Sequence, residues 1–156
     1  MSAYKGRSLI ALRRTAEAEV VRFGAACGKW EVSRDASLAY KRLAVSTMVE
    51  KPTVEFARAN LATPGLQAGE YLTAFGLYVI HEPKLFDILQ EQQTVREHVG
   101  PSAGLLQLTP ALDQIRADFG LQGILLDGER YDIGGTPDTY LSTLNALAPS
   151  KAVDLA

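Results

Sequence analysis

The chain has 156 residues, 47% of them hydrophobic and 22% charged, with a formal net charge of −2. That is enough chain for one domain with a core, and the near-neutral balance gives no electrostatic case for DNA, RNA or an acidic membrane surface. A single cysteine, Cys27, excludes an internal disulfide, and no apolar run reaches the ~18 residues a spanning helix needs, so a reducing, cytoplasmic setting is expected.

In chain order, residues 8–13 are an apolar run that predicts a buried strand. Arg13, Arg14 and Arg22 cluster, but without interleaved aromatic residues they read as a solvated face. Thr15 is placed to cap a short helix over 16–22. Residues 23–28 predict a small-residue strand in which Cys27 is a buried hydrophobe, and 30–33 a hairpin arm pairing with it. Residues 42–49 predict the next strand, 53–60 a weakly patterned helix and 63–69 a Gly/Pro loop. Residues 71–80, rich in aromatic and β-branched side chains, give the strongest strand signal. Pro83 suits the first position of a helix with Leu85, Phe86, Ile88 and Leu89 on one face, followed by a polar loop over 92–104. Thr109-Pro110 reads as a cap and first-turn proline for a helix that turns Leu112, Ile115 and Phe119 inward and stops at Gly120. A strand over 123–126 follows. Thr136-Pro137 repeats the cap-plus-proline start, with Tyr140, Leu141, Leu144 and Leu147 as the last apolar stripe.

Strands alternating with helices predict an α/β domain over 1–148, with a mixed, mostly parallel sheet flanked by helices and a flexible tail over 149–156. No Gly-rich loop that could cradle a nucleotide phosphate is present.

Two stretches carry chemistry. Glu50-Lys51-Pro52 closes the 42–49 strand, because proline lacks the N–H a ladder needs. In parallel α/β sheets ligands collect at the carboxyl ends of strands. A carboxylate there accepts hydrogen bonds from hydroxyls, and an ammonium meets a phosphate as a point charge. Taken in isolation, the pair reads first as a solvated ion pair at a strand end. Asp132 precedes Gly134-Gly135 at a turn, where a carboxylate binds either its own backbone or a hard cation. His81 and His98 have no companion at metal-ligand spacing, and Trp30 and Tyr71 read as packing residues.

In order, these pieces resemble one family. Phe23-Gly24-Ala25-Ala26 is similar to its Tyr-Gly-Val-Val, and Val49-Glu50-Lys51-Pro52 matches its Val-Glu-Lys-Pro. Ala74-Phe75-Gly76-Leu77-Tyr78-Val79, with Pro83 and Leu85-Phe86-Asp87-Ile88-Leu89, resembles its Val-Gly-Arg-Tyr strand and Pro-Glu-Ile-Phe-Asp helix. Gln107-Leu108-Thr109 matches its Gln-Leu-Thr helix start, and Gly128-Glu129-Arg130-Tyr131-Asp132-Ile133-Gly134 its Gly-Lys-Arg-Tyr-Asp-Ile-Gly. The family is the bacterial UTP–glucose-1-phosphate uridylyltransferases, and the resemblance is to their C-terminal half, roughly from Ser8 to Leu147.

The resemblance implies the C-terminal part of a Rossmann-like nucleotidyltransferase fold lacking its N-terminal nucleotide-binding unit. It implies transfer of a uridylyl group from UTP to glucose 1-phosphate, giving UDP-glucose and pyrophosphate with Mg²⁺ as electrostatic partner. Carried over, Lys51 is catalytic and holds the sugar phosphate, Glu50 binds glucose hydroxyls, Gly24 admits backbone close to the sugar, and Asp132 is one of two magnesium aspartates. The family's N-terminal half, with its Gly-x-Gly-Thr-Arg loop and first metal aspartate, has no counterpart here. Leu105 and Pro110 stand where the family carries Glu and Asp. The expectation is therefore an incomplete C-terminal, sugar-phosphate-binding segment, inactive without an N-terminal half, whose exposed sheet edge and apolar face favour capture of that half or homo-oligomerisation. A non-catalytic sugar-phosphate or nucleotide-sugar binding module, or an assembly subunit, is the alternative.

Overall fold

A computed structural model describes residues 7–31, 42–131 and 136–148. The chain divides into two compact units after Leu126. In the first, five strands alternate unevenly with helices: β1 (Ser8–Ala16), β2 (Gly24–Glu31), β3 (Arg42–Glu50), α1 (Val54–Asn60), β4 (Glu70–Val79), α2 (Leu85–Val99), α3 (Leu108–Phe119) and β5 (Leu121–Leu125). A 3₁₀ turn, Glu17–Arg22, joins β1 to β2. The second unit contains α4 (Pro137–Leu147), capped by Thr136, whose side chain and that of Thr139 satisfy each other's backbone N–H groups.

The sheet is mixed and helices flank it, but it is not mostly parallel. The strands close into a barrel in the order β1-β4-β2-β3-β5. Only β1 and β5 pair in parallel; β1/β4, β2/β3, β2/β4 and β3/β5 are antiparallel. The reason lies in connection length. Residues 32–41 are all that separates β2 from β3, which suits a hairpin, whereas a parallel pair needs a crossover of a dozen or more residues. Only the stretch holding α2 and α3 separates β4 from β5 widely enough to bring β5 in beside β1. Closure gives each strand a neighbour on both sides over at least part of its length, so no full-length open edge remains, although β3 beyond Ala44 has no strand on its β5 side.

The barrel is filled by Ile10, Leu12, Ala26, Leu43, Val45, Met48, Leu72, Leu121 and Leu125, with Leu112 of α3 packed onto them. It is narrow enough to require glycine at two interior points. A methyl group on Gly28 would lie 2.1 Å from the Ala44 carbonyl oxygen, and one on Gly123 2.5 Å from Leu12 Cδ1. Gly28 sits at a β-bulge, where the register passes from Cys27↔Thr47 to Gly28↔Val45. On the outer side of β2, Ala25 and Cys27 pack with Val20, Ala57, Leu61 and Tyr71 in a second cluster. Ile88, Ala111 and Ile115 form a third, between α2 and α3. Truncating a fully buried leucine such as Leu12 in so small a barrel costs about 3 kcal/mol or more.

Several local expectations change. Thr15 does not cap the turn after β1; its hydroxyl shares a buried 2.6 Å hydrogen bond with that of Thr73. Trp30 belongs to β2 itself, not to a separate arm, and its Nε1 donates to the Pro64 carbonyl at 2.6 Å. Residues 92–99 are not loop: α2 runs through Val99, because Gln, Glu and Arg are good helix formers even without an apolar stripe. Gln93 bonding to Glu97 and Thr94 to the Gln90 carbonyl support that turn from the surface. Helix α2 starts at Leu85, two residues after Pro83. Phe86 is 77% exposed and Phe119 39%, so neither turns inward. Tyr140, Leu141, Leu144 and Leu147 of α4 are exposed too. The tail after Ala148 lies outside the described residues. Among the described residues no helix is long and apolar enough to cross a membrane.

Candidate functional site at the end of strand three

Strand β3 pairs with β2 along its whole length, from Gly24↔Glu50 to Glu31↔Arg42. On its other side β5 accompanies it only from Arg42 to Ala44. The distal half of β3 therefore needs other partners for its outward backbone groups, and α3 supplies one, for Met48. Asp113 Oδ1 accepts the Met48 N–H at 2.8 Å. Arg116 holds that carboxylate from the next turn, at 2.7 Å. One turn earlier on the same helix, the Thr109 hydroxyl donates to Glu50 Oε2 at 2.5 Å.

Thr109 was expected to cap α3. The helix instead begins at Leu108 with Gln107 as its flanking residue, so the Thr109 hydroxyl is free to reach across to β3. Pro110 still fits, because N–H groups in a first turn have no helical acceptor.

Glu50, Gly24 and Thr109 form one tight constellation. Gly24 lies opposite Glu50 in the ladder. A Cβ on Gly24 would stand 2.6 Å from Thr109 Oγ1 and 3.2 Å from Glu50 Oε2. The glycine thus makes room for the carboxylate and its hydroxyl donor. Tyr78 also faces this charge: burial first, and then the Glu50 carboxylate, push its phenol above the ordinary 10.0, so it stays protonated.

Lys51 follows at once and leaves the strand. Its backbone has φ +44°, the left-handed region, and it is the one described non-glycine residue with positive φ. Its N–H donates to the Phe23 carbonyl at 3.2 Å, which pins the turn, and its side chain is exposed. A lysine in this conformation is strained by roughly 1–2 kcal/mol. Pro52 behind it is buried and restricts it further.

The structure therefore brings Gly24, Glu50 and Lys51 together at the β2–β3 end. That end is not the carboxyl edge of a parallel sheet, because β3 runs antiparallel to both neighbours. Asp132 lies outside the described residues. Among the described residues no three His, Cys, Asp or Glu side chains gather as a cation site. Sequence reasoning missed Thr109 and Asp113 as partners of β3. Their i, i+4 spacing beside Leu112, two polar groups within a buried face, is the signal that could have found them. Leu105 and Pro110, where the chain departs from the family pattern, line one groove along α2 and α3 with Val95 and Leu106.

No family model matches the chain. It is 30% identical over 130 residues to UTP–glucose-1-phosphate uridylyltransferase 1 of Staphylococcus saprophyticus, covering 83% of this chain and 36% of that protein. It is 32% identical over 94 residues to UTP–glucose-1-phosphate uridylyltransferase of Staphylococcus haemolyticus, covering 60% and 26%. Among solved structures, UDP-glucose pyrophosphorylase complexed with UDP-glucose superimposes with a TM-score of 0.63 at 25% identity, over 90% of this chain and 43% of that one. The chain spans about a third of the length of the curated relatives it matches. It has a mixed α/β fold similar to that pyrophosphorylase. The resemblance to the C-terminal half of UTP–glucose-1-phosphate uridylyltransferases, read from the motifs, fits these coverages.

Proposed function

We propose that the chain is the sugar-phosphate-binding half of a UTP–glucose-1-phosphate uridylyltransferase and acts with a nucleotide-binding polypeptide. The observation that carries this reading is the β2–β3 corner. A carboxylate held by one hydroxyl donor and a strained, exposed lysine adjoin each other in the segment that matches Val-Glu-Lys-Pro. Glu50 accepts hydrogen bonds from sugar hydroxyls. Lys51 neutralises the sugar phosphate and orients the oxygen that attacks the α-phosphorus of UTP, with pyrophosphate leaving. Gly24 keeps the floor of the corner low. The relative solved with UDP-glucose supports a nucleotide sugar as the product class.

Magnesium enters by resemblance alone. The described residues do not by themselves make a cation site, so the roles assigned here use only the chain's own side chains. The outer wall of the barrel supports a covering partner: Leu77 and Val79 are each 58% exposed beside Leu9 and Ile124.

The test is reconstitution. Mixed with a separately expressed N-terminal half of a uridylyltransferase, the chain restores pyrophosphate release from UTP and glucose 1-phosphate, and Lys51→Ala abolishes it. No turnover with intact calorimetric binding of glucose 1-phosphate leaves a binding module. No binding at all overturns the reading.

A further inference from the structure

We propose that Thr109 is a positioning residue that fixes the Glu50 carboxylate for sugar recognition; this rests on the reading of the corner given above. The Thr109 hydroxyl is buried and donates its one proton to Glu50 Oε2 at 2.5 Å. Among the described residues Oε1 of Glu50 accepts no hydrogen bond. One carboxylate oxygen is thus anchored by the protein and the other is left to a ligand. A glutamate side chain free to rotate must be ordered when it binds, and anchoring it beforehand removes that loss.

Three features on the chain converge on this one contact. Helix α3 begins one residue before Thr109, so its hydroxyl is not used as a cap. Asp113, one turn on, ties the helix to β3 through the Met48 N–H and fixes the height at which Thr109 meets Glu50. Gly24 is the only side-chain size the contact tolerates, since a methyl group there would collide with Thr109 Oγ1 at 2.6 Å. Gly24 therefore serves the hydroxyl–carboxylate pair, and acts on a sugar through it.

The anchoring concerns the hydroxyl-binding group and not the phosphate-binding one. Removing it weakens sugar recognition while leaving phosphate recognition by Lys51 in place, a split that general loosening of the fold would not produce.

The experiment is calorimetry on the whole chain with two probes, glucose 1-phosphate and inorganic phosphate. Thr109→Val, which keeps the shape and deletes the hydroxyl, lowers affinity for glucose 1-phosphate about tenfold and leaves inorganic phosphate unchanged. Thr109→Ser, which keeps the hydroxyl, stays within about twofold of the parent for both. Thr109→Ala replaces the valine variant if that one does not fold. Equal weakening of both probes, or parental affinity in the valine variant, overturns the proposal. Side-chain coupling constants measured by NMR read Glu50 directly and do not need a ligand. One fixed rotamer in the parent and the serine variant, with averaging in the valine variant, supports it, and averaging in the parent overturns it. If the parent chain binds no glucose 1-phosphate, the proposed function fails, while the NMR measurement still decides the role of Thr109.

Discussion

Gly24 and Thr109 meet beside the Glu50 carboxylate with no room for a methyl group between them: a Cβ on Gly24 would lie 2.6 Å from Thr109 Oγ1. Gly24→Ala therefore costs about 1–3 kcal/mol, the usual range for overpacking. In Gly24→Ala/Thr109→Ala the obstructing oxygen is gone, and the loss is smaller than the sum of the two single changes. Chemical denaturation of the four proteins gives the coupling energy. Strict additivity would show that the contact is not made in solution.

The left-handed backbone of Lys51 reverses the usual ranking of glycine and alanine. At an ordinary strand end Lys51→Ala would be the more stable variant. Here Lys51→Gly is the more stable by about 1 kcal/mol, because glycine adopts positive φ without a Cβ penalty. On the proposed role of Lys51, both variants are expected to lose phosphate affinity. Urea midpoints compare them, and an alanine variant more stable than the glycine one would contradict the strain.

Among the described glycines, Gly28 leaves the least room for a side chain. The atom a methyl group would meet, 2.1 Å away, is the Ala44 carbonyl oxygen, part of the backbone and unable to swing aside. Gly123 would meet the end of the Leu12 side chain, which can shift. Gly28→Ala is expected to cost more than about 3 kcal/mol and Gly123→Ala less than that. Thermal melts rank them.

Stability depends on pH through Glu17 and Tyr71. The Arg58 hydrogen bond holds the Glu17 carboxyl below its ordinary 4.5, despite opposing desolvation. Its contribution is present above pH 4.5 and is lost as pH falls through the lowered value. Burial, then the bond to Glu17, push the Tyr71 phenol above 10.0. That contribution is intact below pH 10.0 and disappears as pH rises through the raised value. Glu17→Gln flattens the acid limb of a denaturation-midpoint profile, and high salt shrinks it in the parent, since the pair is exposed. An unchanged acid limb in the glutamine variant would remove Glu17 from this role.

The strands were legible because their signals are local. Tyr71 to Tyr78 carry aromatic and β-branched side chains whatever they pair with, and Pro52 stops β3 wherever the sheet goes. The barrel was not legible, since the pairing of β1 with β5 is decided between residues far apart in the chain. The 92–99 stretch misled because polarity marks an exposed helix as readily as a loop. At the corner, Glu50, Lys51 and Gly24 are candidates by their match to the family motifs, and the ladder sets Gly24 opposite Glu50. Thr109 was assigned to its own helix, because the carboxylate it serves is 59 positions away and leaves no trace in the neighbouring sequence.

The pairing of the first strand with the last sets an order of events for folding. Ser8 to Leu12 find their parallel partners only when Leu121 to Leu125 are available, after α2 and α3 have been made. The β2–β3 hairpin and the α2–α3 pair can form early from nearby segments, whereas the seam between β1 and β5 waits for the longest loop to close. During synthesis β1 can pair with β4 once that strand is made, but its β5 edge stays open until nearly the whole unit has left the ribosome. That interval is when the chain is most open to a chaperone or to aggregation.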